Sequence, residues 1–328
     1  MNSPANVIAP RPRLVADVGG TNARFAWQHQ SGCEIVDGQT LPCADYASLA
    51  DAIGAYLARL GRPAPLDCAI AIANPITGDQ VRMTNHHWAF SISALKAQCG
   101  FDRLRVLNDF TALALALPHL PADELRQVGG GTPVAGTPIA LIGPGTGLGV
   151  SGLVPDGRGG WIALEGEGGH ATLGGRTDRE TAVLRQIDVQ YGHASGERAV
   201  SGQGLVDVHE ALQKIDAPGN LVRSMTAAEI VHGALEQGNG TCVEAVDLFC
   251  AFLGTAAGNL ALTLGARAGV YIGGGIVPRL GDAFARSPFR SRFEVKGRFQ
   301  DYLAAIPVYV IHAKQSPALL GAASALDA

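Results

Sequence analysis

Cysteine is the first scarcity that matters. The 328 residues hold six, at positions 33, 43, 68, 99, 242 and 250, with no two closer than eight apart. That spacing contains neither a CxxC pair nor a zinc-ligand pattern, so the six read as reduced thiols of a cytoplasmic protein. Charge is also sparse, at 16% of residues with a net of −4, and no run of Lys and Arg exceeds two. A nucleic-acid partner calls for a basic stripe, so none is expected. Long apolar runs are missing too. The longest, residues 248–264, falls short of the roughly 20 residues a membrane span needs, and it contains Gly254, Gly258 and Asn259. It predicts a buried core helix and no membrane partner. The first 13 residues carry Pro4, Pro10 and Pro12 without an apolar segment. They point away from a signal peptide and predict a flexible leader.

What is abundant is glycine, 43 residues, much of it in three clusters. Apolar residues make up 47%, enough for two cores of ordinary size. Residues 13–17 and 23–27 read as a β-hairpin around Gly19-Gly20-Thr21-Asn22. A helix follows with Asp45 as its N-cap, Leu49, Ile53, Leu57 and Leu60 on one face, and Gly61 past its end. Residues 66–73 and 103–107 predict strands, with short helices over 93–99 and 110–117. Strands alternating with helices indicate an α/β architecture. The Pro- and Gly-rich stretch 118–138 reads as a connection between domains.

Beyond it the pattern restarts. Residues 139–142 and 148–154 predict a second hairpin around Gly143–Gly147, about 125 residues after the first. Helices are expected from Thr177 and Thr226, each followed by Glu three residues on in a capping-box pattern. A long helix is expected over about 243–264. Strand 270–272 runs into Gly273-Gly274-Gly275, and strand 307–312 precedes a small-residue helix from Ser316.

Three glycine clusters placed directly after strands suit backbone-lined phosphate loops, because residues without a Cβ let the main chain approach the phosphate oxygens. DVGGTNAR (Asp17–Arg24) adds an acid at the mouth of its turn, suited to hydrated Mg²⁺. GPGTGLG (Gly143–Gly149) offers a second turn. GGGIVPRL (Gly273–Leu280) could lie flat against an adenine or ribose. One such cluster alone is usually an ordinary turn; three after strands reverse the odds. There is no G-x-x-x-x-G-K-[ST] loop. The dinucleotide fingerprint at Gly147, Gly149 and Gly152 sits inside a predicted strand and opens no helix, so it is rejected.

Asn108-Asp109 ends a strand just before a helix. A carboxylate there can take a proton from an attacking hydroxyl, with Asn holding a neighbouring one; an Asx turn capping the helix fits equally well. Glu165-Gly-Glu167-Gly-Gly-His170 sets two acids and an imidazole on a loop too Gly-rich for a core, which suits adjacent sugar hydroxyls. Glu197, in GERAVSGQG, is a weaker candidate and reads equally as a surface charge.

Taken in order, DVGGTNAR, NPITGDQVRMTNHHWAFS, NDFTALA, GPGTGLGV, EGEGGH, ERAVSGQGL and YIGGGIVPRL closely resemble the bacterial glucokinases, in the hexokinase-like branch of the actin-like ATPase superfamily. The resemblance covers nearly the whole chain. It implies a two-domain actin-like (ribonuclease H-like) α/β fold with an interdomain cleft, the domains being 1–118 with about 313–328, and 119–312. It implies ATP and Mg²⁺ as cofactors, glucose as substrate and glycolysis as the setting, and it is compatible with a homodimer. By the same resemblance Asp109 is the general base, and Asn108, Asp109, Glu167, His170 and Glu197 bind sugar. The ATP loops are then Ala16, Asp17, Val18, Gly19, Gly20 and Thr21; Gly145, Thr146 and Gly147; and Gly273, Gly274 and Gly275. Ala16 and Asn74 stand where relatives often carry other small residues, which puts nothing catalytic in doubt. A related sugar-kinase family that includes repressors has a Cys-rich zinc loop beside a similar Glu-x-Gly-His pattern. Those Cys are absent here, so no structural zinc is expected.

Three alternatives keep a place. A kinase for fructose or mannose would share every motif. A sugar-responsive regulator needs a helix-turn-helix ahead of the first hairpin, where only about a dozen Pro-containing residues stand. An actin-like chaperone or filament ATPase would leave the Glu167–His170 loop without a purpose.

Overall fold

The computed structural model describes residues 11–62, 64–84 and 86–327, so most of the expected leader lies outside the described residues. The chain divides into two compact units: one runs to Leu120 and resumes at Lys314, the other is Pro121–Ala313.

Strands of the first unit are β1 (Arg13–Val18), β2 (Asn22–Gln28), β3 (Ile35–Pro42), β4 (Asp67–Ile72), β5 (Gln80–Arg82), β6 (Ala89–Ser91) and β7 (Arg103–Asn108). Its main sheet has the order β3-β2-β1-β4-β7, antiparallel through the hairpin strands and parallel from β1 to β4 to β7. β1 and β4 are buried along their whole length, as inner strands covered on both faces must be. Alternation splits β1 between the two covers. Leu14, Ala16 and Val18 pack toward helix Leu49–Leu60, while Val15 packs toward the last helix, Pro317–Ala325. That last helix is built from small residues for a reason. Gly321 lies on the backbone of Ala112, where a Cβ would collide with the Ala112 carbonyl.

The second unit contains β8 (Leu125–Val128), β9 (Ile139–Pro144), β10 (Leu148–Pro155), β11 (Trp161–Gly166), β12 (Gly269–Ile272) and β13 (Val308–Ile311), in the order β11-β10-β9-β12-β13-β8. From β11 to β13 its wiring repeats the first sheet: a hairpin extended by a third strand, then two parallel strands. β8 adds an antiparallel edge strand to β13, so the stretch expected as a bare connection is partly sheet.

Helix Gly240–Leu264 is the spine of the second core. At 25 residues it is long and apolar enough to cross a membrane by length and composition, yet 72% of its apolar window is buried inside the protein. Gly254 and Gly258, one turn apart, are packing notches for helix Phe289–Glu294: a Cβ on Gly258 would stand 2.7 Å from the Phe293 carbonyl.

Several sequence expectations need correction. Helix Leu49–Leu60 is capped by Ser48, whose hydroxyl accepts from the Asp51 N–H; Asp45 ends a separate 3-10 turn, and extended Tyr46 lies between. Thr226 and Glu229 form the full capping box, but the Thr177 pattern is only half filled. There Thr177 caps Glu180 N–H, while the Glu180 carboxylate turns inward and binds the Arg292 guanidinium through both oxygens. The expectation missed β3, β5, β6, β8, β11 and several helices, among them Gly202–Asp216 and Phe289–Glu294.

Candidate functional site

Register places the first group of candidates on one edge of one sheet. Val18 pairs with Ile72, and Ile72 with Asn108, along three parallel strands. The Gly19–Thr21 turn, the Ala73–Pro75 turn and Asn108-Asp109 therefore leave the same carboxyl edge side by side, about 5 Å per strand apart. In open α/β sheets this edge is where ligands bind.

The first turn is closed by Gly19 N–H donating to the Asn22 carbonyl (2.9 Å) and is braced by Cys43, whose N–H donates to the Thr21 carbonyl (2.8 Å). Asp17, the acid at its mouth, is buried and already engaged. Its Oδ2 accepts from Arg24 (3.0 Å) and from the Ser316 hydroxyl (2.6 Å). Sequence reasoning missed both partners. Arg24 was recoverable, because the hairpin register sets it directly opposite Asp17; Ser316, 299 residues away, gave no signal.

At the far strand, Asn108 is the N-cap of helix Asp109–Ala116. Its Oδ1 accepts from the N–H groups of Phe110 (2.9 Å) and Thr111 (3.2 Å), and its Nδ2 donates to the Asn74 carbonyl (3.4 Å). The cap and the candidate base are thus different residues. Asn108 does the capping, and Asp109, the first residue of the helix, is half-buried with Oδ1 accepting from Phe110 N–H (2.9 Å).

In the second unit three segments meet around Leu148. Glu197, near the start of the short helix Gly196–Ala199, accepts from Leu148 N–H through Oε2 (3.0 Å). Gly147 faces the same carboxylate, and a Cβ there would strike Oε2. The Glu167–His170 loop packs behind: Gly169 sits against the Leu148 carbonyl with no room for a Cβ, and Gly196 N–H donates to the Ala171 carbonyl (2.9 Å). The Glu167 and His170 side chains are exposed. The structure brings Glu167, His170 and Glu197 together on one set of backbone contacts.

The two glycine loops of this unit also converge. Gly145 N–H donates to the Gly147 carbonyl and Gly202 N–H to the Gly145 carbonyl, each at 2.8 Å. Gly273 N–H donates to the Ile142 carbonyl, and Gly274, at φ +77°, lies on the Pro144 carbonyl. Positive φ and that close approach together leave glycine as the residue that fits. Gly275 leads through Ile276 into helix Val277–Leu280. A cavity of about 310 Å³ lies next to this loop, lined among others by Leu205, Val231, Ile276 and Arg279.

Comparison with known proteins identifies the family. A family model described as glucokinase matches residues 14–328. The glucokinase of Aromatoleum aromaticum is 55% identical over 317 residues, covering 96% of this chain and 95% of that one. The crystal structure of a glucokinase from an Antarctic psychrotroph superposes with a TM-score of 0.88 at 36% identity, covering 97% of this chain and 99% of that one. A ROK family glucokinase from Streptomyces griseus, solved in complex with glucose and AMPPNP, gives a TM-score of 0.59 at 18% identity over 96% of this chain and 98% of that one; that likeness is one of fold. The two-unit α/β structure is an actin-like ATPase fold, and the chain belongs to the glucokinase family.

Proposed function

We propose that this chain transfers the terminal phosphoryl group of ATP to the 6-hydroxyl of glucose, yielding glucose 6-phosphate and ADP. The observation that carries the reading is the shared strand edge, where the Asp17–Thr21 turn and Asp109 stand two strands apart. Asp109 takes the hydroxyl proton as that oxygen attacks the γ-phosphorus, and the bond to the β-bridging oxygen breaks. Glu167, His170 and Glu197 hold other sugar hydroxyls, and Asn108 fixes the strand end from which Asp109 projects. The glycine loops at residues 16–21, 145–147 and 273–275 cradle the nucleotide. Catalysis of this kind is mainly positioning and charge stabilisation.

Asp17 suits a supporting role toward Mg²⁺. Mg²⁺ commonly keeps several waters and takes one or two carboxylates plus substrate phosphates. A single carboxylate whose Oδ2 is shared by Arg24 and Ser316 fits contact through water. When bound, the ion neutralises charge on the phosphate oxygens. The setting that fits this chemistry is cytoplasmic glycolysis.

A coupled assay of the purified chain with ATP against glucose, fructose and mannose tests the reading. Glucose should be preferred, EDTA should stop turnover, excess Mg²⁺ should restore it, and metal analysis should find no stoichiometric zinc. Preference for another hexose would move the substrate assignment and leave the chemistry intact.

A further inference from the structure

Asn74, in the turn after β4, is the junction of a hydrogen-bonded chain. Its Oδ1 accepts both from the backbone N–H of Thr84 (3.0 Å) and from the Thr84 hydroxyl (2.8 Å). Its main-chain carbonyl accepts from Asn108 Nδ2 (3.4 Å), the same amide whose oxygen caps the helix that begins at Asp109. Its own frame is stiff. Asn74 N–H donates to the Ile72 carbonyl (2.7 Å), and Pro75 restricts the residue before it to extended backbone. The Thr84 segment is closed farther on by Met83 N–H donating to the Trp88 carbonyl (3.0 Å), and Trp88 is pinned through Nε1 to the Tyr46 carbonyl (3.1 Å). At the Thr84 end, the Asn74 side chain is the tether.

We propose that Asn74 is a positioning residue for the sugar site: it holds the Thr84 segment against the carboxyl edge of the sheet beside Asn108-Asp109, so that this wall is formed before sugar arrives. The proposal rests on the hexose-kinase reading above. Asn74 is half-buried and acts through Thr84 and Asn108; it transfers no proton. An Ala at this position keeps the carbonyl for Asn108 and removes the acceptor for Thr84, so the two functions of the residue separate cleanly. Without the acceptor, sugar binding must itself order the segment, and the loss falls on affinity for sugar. ATP binding at the glycine loops does not depend on this tether.

Steady-state kinetics of Asn74→Ala, Asn74→Asp, Thr84→Val and the double variant Asn74→Ala/Thr84→Val test this. Asn74→Ala should raise the glucose KM about five- to tenfold, toward the lower end of what two net hydrogen bonds are worth, and leave the ATP KM within about twofold. Asn74→Asp keeps an acceptor oxygen and should recover most of the affinity. Thr84→Val removes only the hydroxyl bond and should cost less; added to Asn74→Ala it should cost nothing more, since coupled partners are not additive. An unchanged glucose KM in Asn74→Ala, equal rises in both KM values, or an additive double variant would each overturn the proposal. If Asn74→Ala folds poorly, the Thr84→Val and Asn74→Asp pair carries the same test. A wild-type chain inactive on every hexose would instead overturn the functional reading, and the proposal with it.

Discussion

The two sheets repeat one wiring and use it differently. In each, a hairpin with a glycine turn leads to a third antiparallel strand, and two parallel strands follow on the other side. In the first sheet the turn is preceded by a carboxylate, Asp17, and the edge ends in a second, Asp109. At the matching place in the second sheet, two residues before the turn, stands Gly143, with Pro144 after it packed under Gly274, and the carboxylates arrive on inserted segments, Glu167 after β11 and Glu197 before helix Gly202–Asp216. The repeated part is the turn that can face a phosphate. The chemistry that differs lies in what each unit adds to it.

The most damaging substitution should fall in the first unit. A sugar hydroxyl is a poor nucleophile at neutral pH, and a positioned base contributes roughly 10² to 10⁴ in rate. Asp109→Asn should lower kcat by about that range, with the thermal midpoint near wild type. The helix keeps its cap in this variant, because the cap is Asn108. Near-normal turnover by a well-folded variant would break the contrast between the units and the assigned mechanism together.

How much of this was legible follows a physical line. Both hairpins and the buried strands β4 and β12 could be read because apolar runs stop at glycine or at a turn. Strands β3 and β11 could not, since most of their residues are exposed or half-exposed and carry no clean alternation. Helix Gly202–Asp216 was hidden by its own opening, Gly-Gln-Gly, which reads as a ligand loop. Gly204 is small because a Cβ there would stand 2.8 Å from the Ala199 carbonyl carbon. Among the candidate residues, Asp109 and the Glu167–His170 loop could be singled out by residue type and spacing. The bonds that position them were not: Arg24 and Ser316 on Asp17, Asn74 on Thr84, and Glu197 on Leu148 depend on pairings across the fold. Thr177 and Thr226 make the same point, because one sequence pattern gives two outcomes once Arg292 competes for Glu180.

A second prediction compares buried carboxylates. Asp67 in the first unit and Glu180 in the second are both buried, and each binds arginine. For Glu180, burial alone would raise the pKa, but the Arg292 guanidinium and the backbone groups of Arg176 and Thr177 outweigh it and hold the carboxyl below its usual range. A depressed carboxylate pKa adds stability that is fully present above the unfolded value, about 4.3, and is lost as pH falls through the folded one. Removing Glu180 strands Arg292, whose side chain is only 14% exposed. Breaking a buried pair in this way costs about 3–5 kcal/mol, so Glu180→Ala should lower the thermal midpoint strongly at pH 7. Asp67→Ala should cost less, because Arg11 and Arg103 are 49% and 42% exposed and can turn to water. Thermal melts of both variants at neutral pH and at about one unit below the unfolded pKa check this. The gap between Glu180→Ala and wild type should narrow at the lower pH, and equal losses from the two variants would break the comparison.

The smallest expected effect asks what Glu197 does for the second hairpin. Its carboxylate accepts from Leu148 N–H and fills the space beside Gly147, so it braces the turn proposed for the nucleotide as well as standing with the sugar candidates. Sequence alone suggests that Glu197→Ala would raise only the glucose KM. With this geometry both KM values should rise, because the variant removes the brace and the proposed sugar contact together. Glu197→Gln separates the two roles. The amide oxygen can still accept from Leu148 N–H, so the ATP KM should stay near wild type. The negative charge is gone, and a hydrogen bond to a charged group is worth about 1.5–3 kcal/mol, so the glucose KM should rise about tenfold or more. If Gln restores both KM values, Glu197 is a brace alone and the sugar set of the second unit reduces to Glu167 and His170. If Gln raises both equally, the turn depends on the charge itself, and the second hairpin needs a carboxylate as much as the first needs Asp17.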